Sequence, residues 1–311
     1  MTRLISRFSF LLLSGLLFLA ARGVATERPV VVTLHPLLSE MVERMAGEDV
    51  RLIELLGPGG DPHTFAPSPG DLARIQEAAL VLAMGKNLET YLDRLRSTLP
   101  REVPIVEAGR VVPSLHFNGT ASEACCLHDG SDHHHHGDLD PHWWQSPVAM
   151  RRAAREVSRV LTDLLPAEAE GKIAWQTRAL LDEWEALHDW IEGEVTRIPP
   201  ARRILITAHA AFGYFCAEYG FVALPVRGLS AERDPRPGDL AATIRTIREN
   251  GVPAIFPEEG ANPAILETLT RETGARRGGR LFADTISRRG MTYEEMMRHN
   301  VSTMVAALGE E

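Results

Sequence analysis

Three histidines and one aspartate draw attention because of where they fall relative to the apolar runs of the chain. His63 lies in a Gly/Pro loop, with Gly57-Pro58-Gly59-Gly60-Asp61-Pro62 before it, that follows the β-branched run 51–56. His142 sits in Asp140-Pro141-His142, His209 two residues after the run 204–207, and Asp284 directly after 281–283. Imidazole nitrogens and carboxylate oxygens both ligate divalent ions, and three of the first with one of the second suit tetrahedral Zn2+. Singly, each residue has a plainer reading. Loop histidines are more often solvated than ligating, and an aspartate after a strand is often a helix N-cap, a role open to Asp284. The joint placement of all four is what favours a metal centre. A catalytic zinc keeps a position open for water, so four protein ligands point to holding an ion instead of hydrolysis with it.

Such residues need elements to position them. Short apolar runs at 30–34, 51–56, 80–84 and 103–106 have the composition of buried parallel strands, alternating with helical spacing over 36–46, 69–78 and 88–99. A second series follows Pro199-Pro200, with strands expected at 204–207, 222–225, 254–256 and 281–283. Helices are expected there over 212–218, 238–249, 263–273 and 293–308. Between the series, Ser146-Pro147 opens one helix and Pro166 a second that runs to about residue 197. The second carries Ile173, Leu180, Leu181, Trp184, Leu187 and Ile191 mainly at three- and four-residue intervals, one buried stripe. The fold class expected is α/β, two parallel-sheet β/α lobes with helices on both faces, joined by a long rigid α-helix. Ligands of open parallel sheets bind beyond the C-terminal strand ends, which places the four residues in the interlobe cleft, two from each half. The boundaries expected are 1–25 for a leader, 26–165 for the N-terminal lobe, 166–198 for the linking helix and 199–311 for the C-terminal lobe.

The residues also carry a resemblance. Asp61-Pro62-His63-Thr64-Phe65-Ala66-Pro67-Ser68-Pro69 and Asp140-Pro141-His142-Trp143-Trp144-Gln145-Ser146-Pro147 resemble the first two histidine motifs of the zinc and manganese solute-binding proteins of ABC transporters. His209-Ala210-Ala211-Phe212-Gly213-Tyr214-Phe215 is similar to the third, and Phe282-Ala283-Asp284-Thr285-Ile286-Ser287 to the carboxylate motif. Gly228-Leu229-Ser230, Asn262-Pro263 and Arg271-Glu272-Thr273-Gly274 fit as well, with all motifs in order over essentially the whole mature chain. The resemblance implies two Rossmann-like β/α lobes joined by a long helix, metal in the cleft, and delivery to an ABC transporter membrane permease. It implies His63, His142, His209 and Asp284 as metal ligands. In manganese-binding relatives a second carboxylate usually replaces the third histidine, so His209 favours Zn2+ over Mn2+ as the transported ion. Ala210 stands where many members have an aspartate, which puts the partner that orients His209 in doubt.

Export is expected from the first residues. Arg3 and Arg7 precede the apolar stretch 8–21, and Gly23-Val24-Ala25 offers small residues for a signal peptidase. The apolar run falls short of the roughly 20 residues that span a bilayer, and no cysteine stands near the cleavage point for a lipid anchor. A periplasmic protein follows. Its formal charge moves from −9 to about −12 once the leader and its arginines are removed. That charge argues against nucleic acid and anionic lipid as partners. A monomer is expected, and a periplasmic metallochaperone is a further partner to consider. The segment 116–140, with His128 and His133, His134, His135 and His136 among Gly, Ser and Asp, reads as a polar surface loop able to bind zinc or nickel weakly.

Two other functional classes use the same residues. A periplasmic zinc hydrolase would take the three histidines as ligands and Asp284 or Glu259 as general base, but the chain lacks a His-Glu-x-x-His motif and a serine nucleophile elbow. A metallochaperone would differ only in its recipient. His35, at the end of the first strand, is expected in the pocket wall instead of among the ligands. Either Glu258 or Glu259 could line the site or belong to a solvated turn. Trp143, Trp144, Phe212 and Tyr214 either keep the ion dry or pack between the lobes. Cys216 is expected to be buried, and Cys125 and Cys126 allow at most one intramolecular disulfide among three thiols.

Overall fold

A computed structural model describes residues 27–100, 102–117, 139–229, 237–260, 264–286 and 289–309. The expected leader, His128, His133–His136, Cys125 and Cys126 lie outside these residues. The stem of the histidine-rich segment lies within them, where His116 and Leu139 form an antiparallel bridge.

The N-terminal half opens with β1 (Val30–Thr33), α1 (Pro36–Met45), β2 (Arg51–Glu54), α2 (Pro69–Gln76), β3 (Leu80–Ala83), α3 (Leu92–Thr98) and β4 (Ile105–Glu107). Its strands form one parallel sheet in the order β2-β1-β3-β4. β3 is buried at every position, as a strand covered on both faces should be. Local chemistry sets the helix starts. Ser68 and Asp71 form a capping box at α2, with Pro69 at the first helical position. The helix expected from residue 88 begins only at Leu92. Gly85, Lys86 and Asn87 take left-handed φ values of 80°, 54° and 65°. The Glu89 carboxylate then folds back onto the Met84 and Gly85 amides, which prevents an earlier helical turn.

Two helices fill the middle of the chain. α4 (Pro147–Leu164) is capped by Ser146, whose hydroxyl accepts from the Ala149 amide. α5 (Glu170–Val195) is 26 residues long, so about 39 Å at 1.5 Å per residue. It starts later than Pro166, because Ala167–Ala169 form a tight 3-10 turn first. Its buried stripe is Ile173, Thr177, Leu180, Trp184, Leu187, Ile191 and Val195. Through it α5 packs on α1 of the first half, on α4, and on α9 (Tyr293–Leu308) of the second.

The C-terminal half contains β5 (Ile204–Thr207), α6 (Gly213–Tyr219), β6 (Val222–Pro225), α7 (Pro237–Glu249), β7 (Ala254–Ile255), α8 (Ala264–Thr273) and β8 (Arg276–Arg277) before α9. β5 pairs with β6 and β7 with β8, all parallel. The Phe256 amide donates to Ile206 O and joins the two pairs. One strand was not expected and one expected strand needs correction. Arg276–Arg277 is a strand that its exposed, charged composition hides. Residues 281–283 are not a strand: Leu281 alone bridges Glu258. The ladder stops there because the next carbonyls are taken by side chains, as described below.

The interior explains how the halves are held. One cluster of buried apolar side chains runs from Leu37 and Met41 through Trp143, Trp144, Trp184 and Ile191 to Phe215, Leu281 and Tyr293. Smaller clusters cover the outer face of each sheet. The long helix therefore lies against both lobes in a shared core.

Candidate metal centre

The β2 strand leads into the loop that carries His63, and Asp61 shapes it by accepting the His63 amide at 2.8 Å. The tripeptide recurs before the helical waist with the same turn. Asp140 Oδ1 accepts the His142 amide at 2.9 Å and the His142 Nδ1–H at 2.7 Å. This approach depends on Gly213, where a Cβ would collide with the Asp140 carboxylate. On the other lobe, His209 follows β5, and Glu258 follows β7. One Glu258 oxygen accepts the His209 amide at 3.1 Å and the other takes Nδ1–H at 2.6 Å. A carboxylate can only accept, so both imidazoles carry a proton on Nδ1 and turn Nε2 toward the cleft.

The three Nε2 atoms and one Asp284 oxygen converge. Asp284 Oδ1 lies 3.1 Å from His209 Nε2, 3.4 Å from His142 Nε2 and 3.5 Å from His63 Nε2. His63 and His142 Nε2 are 3.1 Å apart, and the ligand atoms of all four residues fall within 4.8 Å of one another. A tetrahedron with metal–ligand bonds of about 2.0–2.1 Å has edges of about 3.3–3.4 Å. The four measured edges bracket that value. His142 and His209 are fully buried, while the Asp284 and His63 side chains retain 20% and 10% exposure. The opening to solvent is therefore on the side of His63 and Asp284.

The electrostatics favour a cation at this point. Burial by itself would lower the pKa of His142, but the hydrogen bonds to Asp140 and Asp284 outweigh it and raise the value. Burial acts in the same direction on His209, where the charges of Asp284 and Glu258 prevail and push the pKa well above 6.5. Burial would raise Asp284, yet the three histidines hold it well below the usual carboxylate range. The same charges that favour protonation of His142 and His209 favour a divalent cation, and binding of such an ion competes with protons there.

The Asp284 segment is held mainly by groups of the other half, with Asn300 of its own lobe assisting. Phe282 O accepts from Gln145 and Asn300, Ala283 O from Trp144 Nε1 and Gln145, and Asp284 O from His35 Nε2. The Gly59 amide donates to Ile286 O at 2.9 Å. Asp284 is accordingly not a helix cap; its carboxylate faces the histidines. His35 lies in the wall as expected, fully buried, its pKa pushed down to about 4 mainly by that burial. Of the paired glutamates, Glu258 reaches the site, and Glu259 faces Arg280 at the surface. Among the aromatics, only Trp144 lies against a cluster histidine, its ring 5.1 Å from His142 and 5.3 Å from His35. Trp143 and Tyr214 brace loops through Met84 O and Pro113 O, and Phe212 and Cys216 pack in the core.

The role of Asp140 was not visible from the sequence, although the repeat of Asp-Pro-His at 61–63 and 140–142 was a signal for it. Glu258 answers the question raised by Ala210. The backbone at Ala210 bonds Gly228 O, and the carboxylate that orients His209 comes from another strand end.

The chain and its fold have counterparts. Residues 30–307 match the family described as zinc-uptake complex component A, periplasmic. The chain belongs to this family. Among curated proteins it is 30% identical to the zinc-binding protein TroA of Treponema pallidum over 294 residues, 92% of this chain and 91% of TroA. It is 26% identical to the manganese-binding lipoprotein MntA of Halalkalibacterium halodurans, covering 90% and 88% of the two chains. It is also 29% identical to the iron-binding protein YfeA of Yersinia pestis, covering 90% and 86%. The solved structure of the periplasmic zinc-binding protein TroA from Treponema pallidum superposes with a TM-score of 0.80 at 29% identity, covering 91% of this chain and all of that one. Members of the zinc-uptake component A family are metal-binding transport proteins, and these relatives are named for three different metals. Among the described residues, no helix is long and apolar enough to cross a membrane.

Proposed function

We propose that the protein is a periplasmic receptor that captures Zn2+ through His63, His142, His209 and Asp284 and delivers it to an ABC permease for import. The observation that supports this most strongly is the set of four donor atoms within 4.8 Å of one another, with four of their six edges at 3.1–3.5 Å. Three imidazoles suit a borderline ion such as Zn2+, whereas Mn2+ favours harder oxygen donors. Asp284 supplies the only carboxylate of the cluster among the described residues. The manganese reading has equal support from the named relatives, so donor chemistry alone favours zinc. With four protein donors around the ion, no position is left for a reactive water, and the reading is of a receptor and not a hydrolase. The division into a leader at 1–25, lobes at 26–165 and 199–311 and a linking helix at 166–198 belongs to the same proposal.

Competition of Zn2+ against Mn2+ for the mature protein tests the metal. One tight zinc-preferring site, lost in His209→Ala, is expected; preference for Mn2+ would overturn zinc and leave the receptor reading standing. Growth in zinc-poor medium that requires both this protein and its permease tests transport. Hydrolytic turnover by the zinc-loaded protein would instead favour an enzyme.

A further inference from the structure

His35 makes contacts that neither its sequence position nor the ligand set accounts for. It sits at the C-terminal end of β1, with no exposed surface. Its Nδ1 accepts from the Leu37 amide at 3.2 Å, which caps α1. Since Nδ1 is the acceptor, the proton is on Nε2, and Nε2–H donates to Asp284 O at 2.7 Å. Both ring nitrogens are therefore committed to backbone groups, and neither is free to bind an ion. The ring also lies against Trp144, which itself donates to the preceding carbonyl, Ala283 O.

We propose that His35 is a positioning residue that fixes the Asp284 carboxylate for the ion by tying its backbone to the opposite lobe. This role rests on Asp284 being a ligand, as proposed above. Asp284 follows a ladder that ends at Leu281, so no strand pairing orients it. Its placement depends on side chains that reach its carbonyl and those beside it, and His35 is the one that bonds Asp284 itself. The bond runs from the start of the N-terminal lobe to the end of the C-terminal one, 249 residues apart. Loosening it frees the carboxylate that contacts all three histidines, so the ion loses its fourth donor more often and escapes faster.

The two jobs of His35 separate by substitution. In His35→Asn the amide oxygen takes the place of Nδ1 and keeps the helix cap, but the side chain is too short to reach Asp284 O. In His35→Gln the amide nitrogen takes the place of Nε2 and keeps the bond to Asp284, but the cap is lost. The readouts are the zinc dissociation rate from the metal-loaded full-length mature protein, the visible absorption spectrum of its Co2+ form, and the melting temperature without metal. His35→Asn is expected to release zinc about tenfold faster, the lower end of the range for groups that orient metal ligands, with an altered Co2+ spectrum. His35→Gln is expected to release it near the wild-type rate while melting lower. Release from His35→Asn at the wild-type rate, or equal release from both variants, overturns the positioning role. Asp284→Ala is measured alongside: unchanged zinc binding in that variant would overturn the ligand assignment itself, a result distinct from failure of the His35 contrast.

Discussion

Asp140 and Glu258 each hold an imidazole twice, through the backbone amide and through Nδ1. Loss of one charge there leaves the ligand in place but free to rotate and less basic. Asp140→Asn and Glu258→Gln should each weaken zinc binding about 10–100-fold, measured by chelator competition, with little change in metal-free melting temperature. Proton competition adds a pH dependence whose direction is fixed. The raised pKa of His209 stabilises the metal-free fold fully below its unfolded value near 6.5, and that contribution is lost as pH rises through the folded value. Asp284, depressed, contributes above its unfolded value near 3.9 and loses this as pH falls through the folded one. Zinc must displace the histidine protons, so affinity should decline with falling pH from above 6.5; constant affinity between about pH 8 and about pH 6 would contradict a three-histidine site. The histidines and Asp284 could be found in the sequence because each follows an apolar run or sits in a short motif. Glu258 could not be separated from Glu259 because a hydrogen bond from one strand end to another, as it makes to His209, has no local signature. Asp140 was missed although the Asp-Pro-His repeat carried a local signal for it.

At the scale of elements, α5 carries the connection between lobes. Trp184 sits at the centre of its buried stripe, with its ring 5.1 Å from Tyr293 on α9. Trp184→Ala should cost about 3–5 kcal/mol of stability, the usual range for a buried aromatic, measured by denaturant unfolding. The stripe was legible because its three- and four-residue spacing persists over the whole helix, and β5, β6 and α9 have the expected bounds. Elements that failed to match did so where tertiary contacts override local pattern. Residues 281–283 look like a strand, but Asn300, Trp144 and Gln145 take the carbonyls a ladder would use. Arg276–Arg277 pairs with β7 although nothing in two adjacent arginines suggests a strand.

Across the whole molecule, the central core runs without a break from one lobe through the long helix to the other. Closure on metal is then a small adjustment, not a wide hinge rotation, because separating the lobes would expose that interior. Small-angle scattering of metal-free and zinc-loaded protein should give nearly the same radius of gyration. The four proposed ligands are divided between the lobes, and the bonds from His35, Gly59, Trp144 and Gln145 to residues 282–286 lace the Asp284 segment to the first half. The central claim is that four residues hold one ion, and anomalous diffraction at the zinc edge from crystals of the loaded protein tests it most directly. One ion is predicted, about 2.0–2.1 Å from Nε2 of His63, His142 and His209 and close to the same distance from Asp284 Oδ1. An ion bound elsewhere, or one that lacks Asp284 and carries water in its place, would contradict the account.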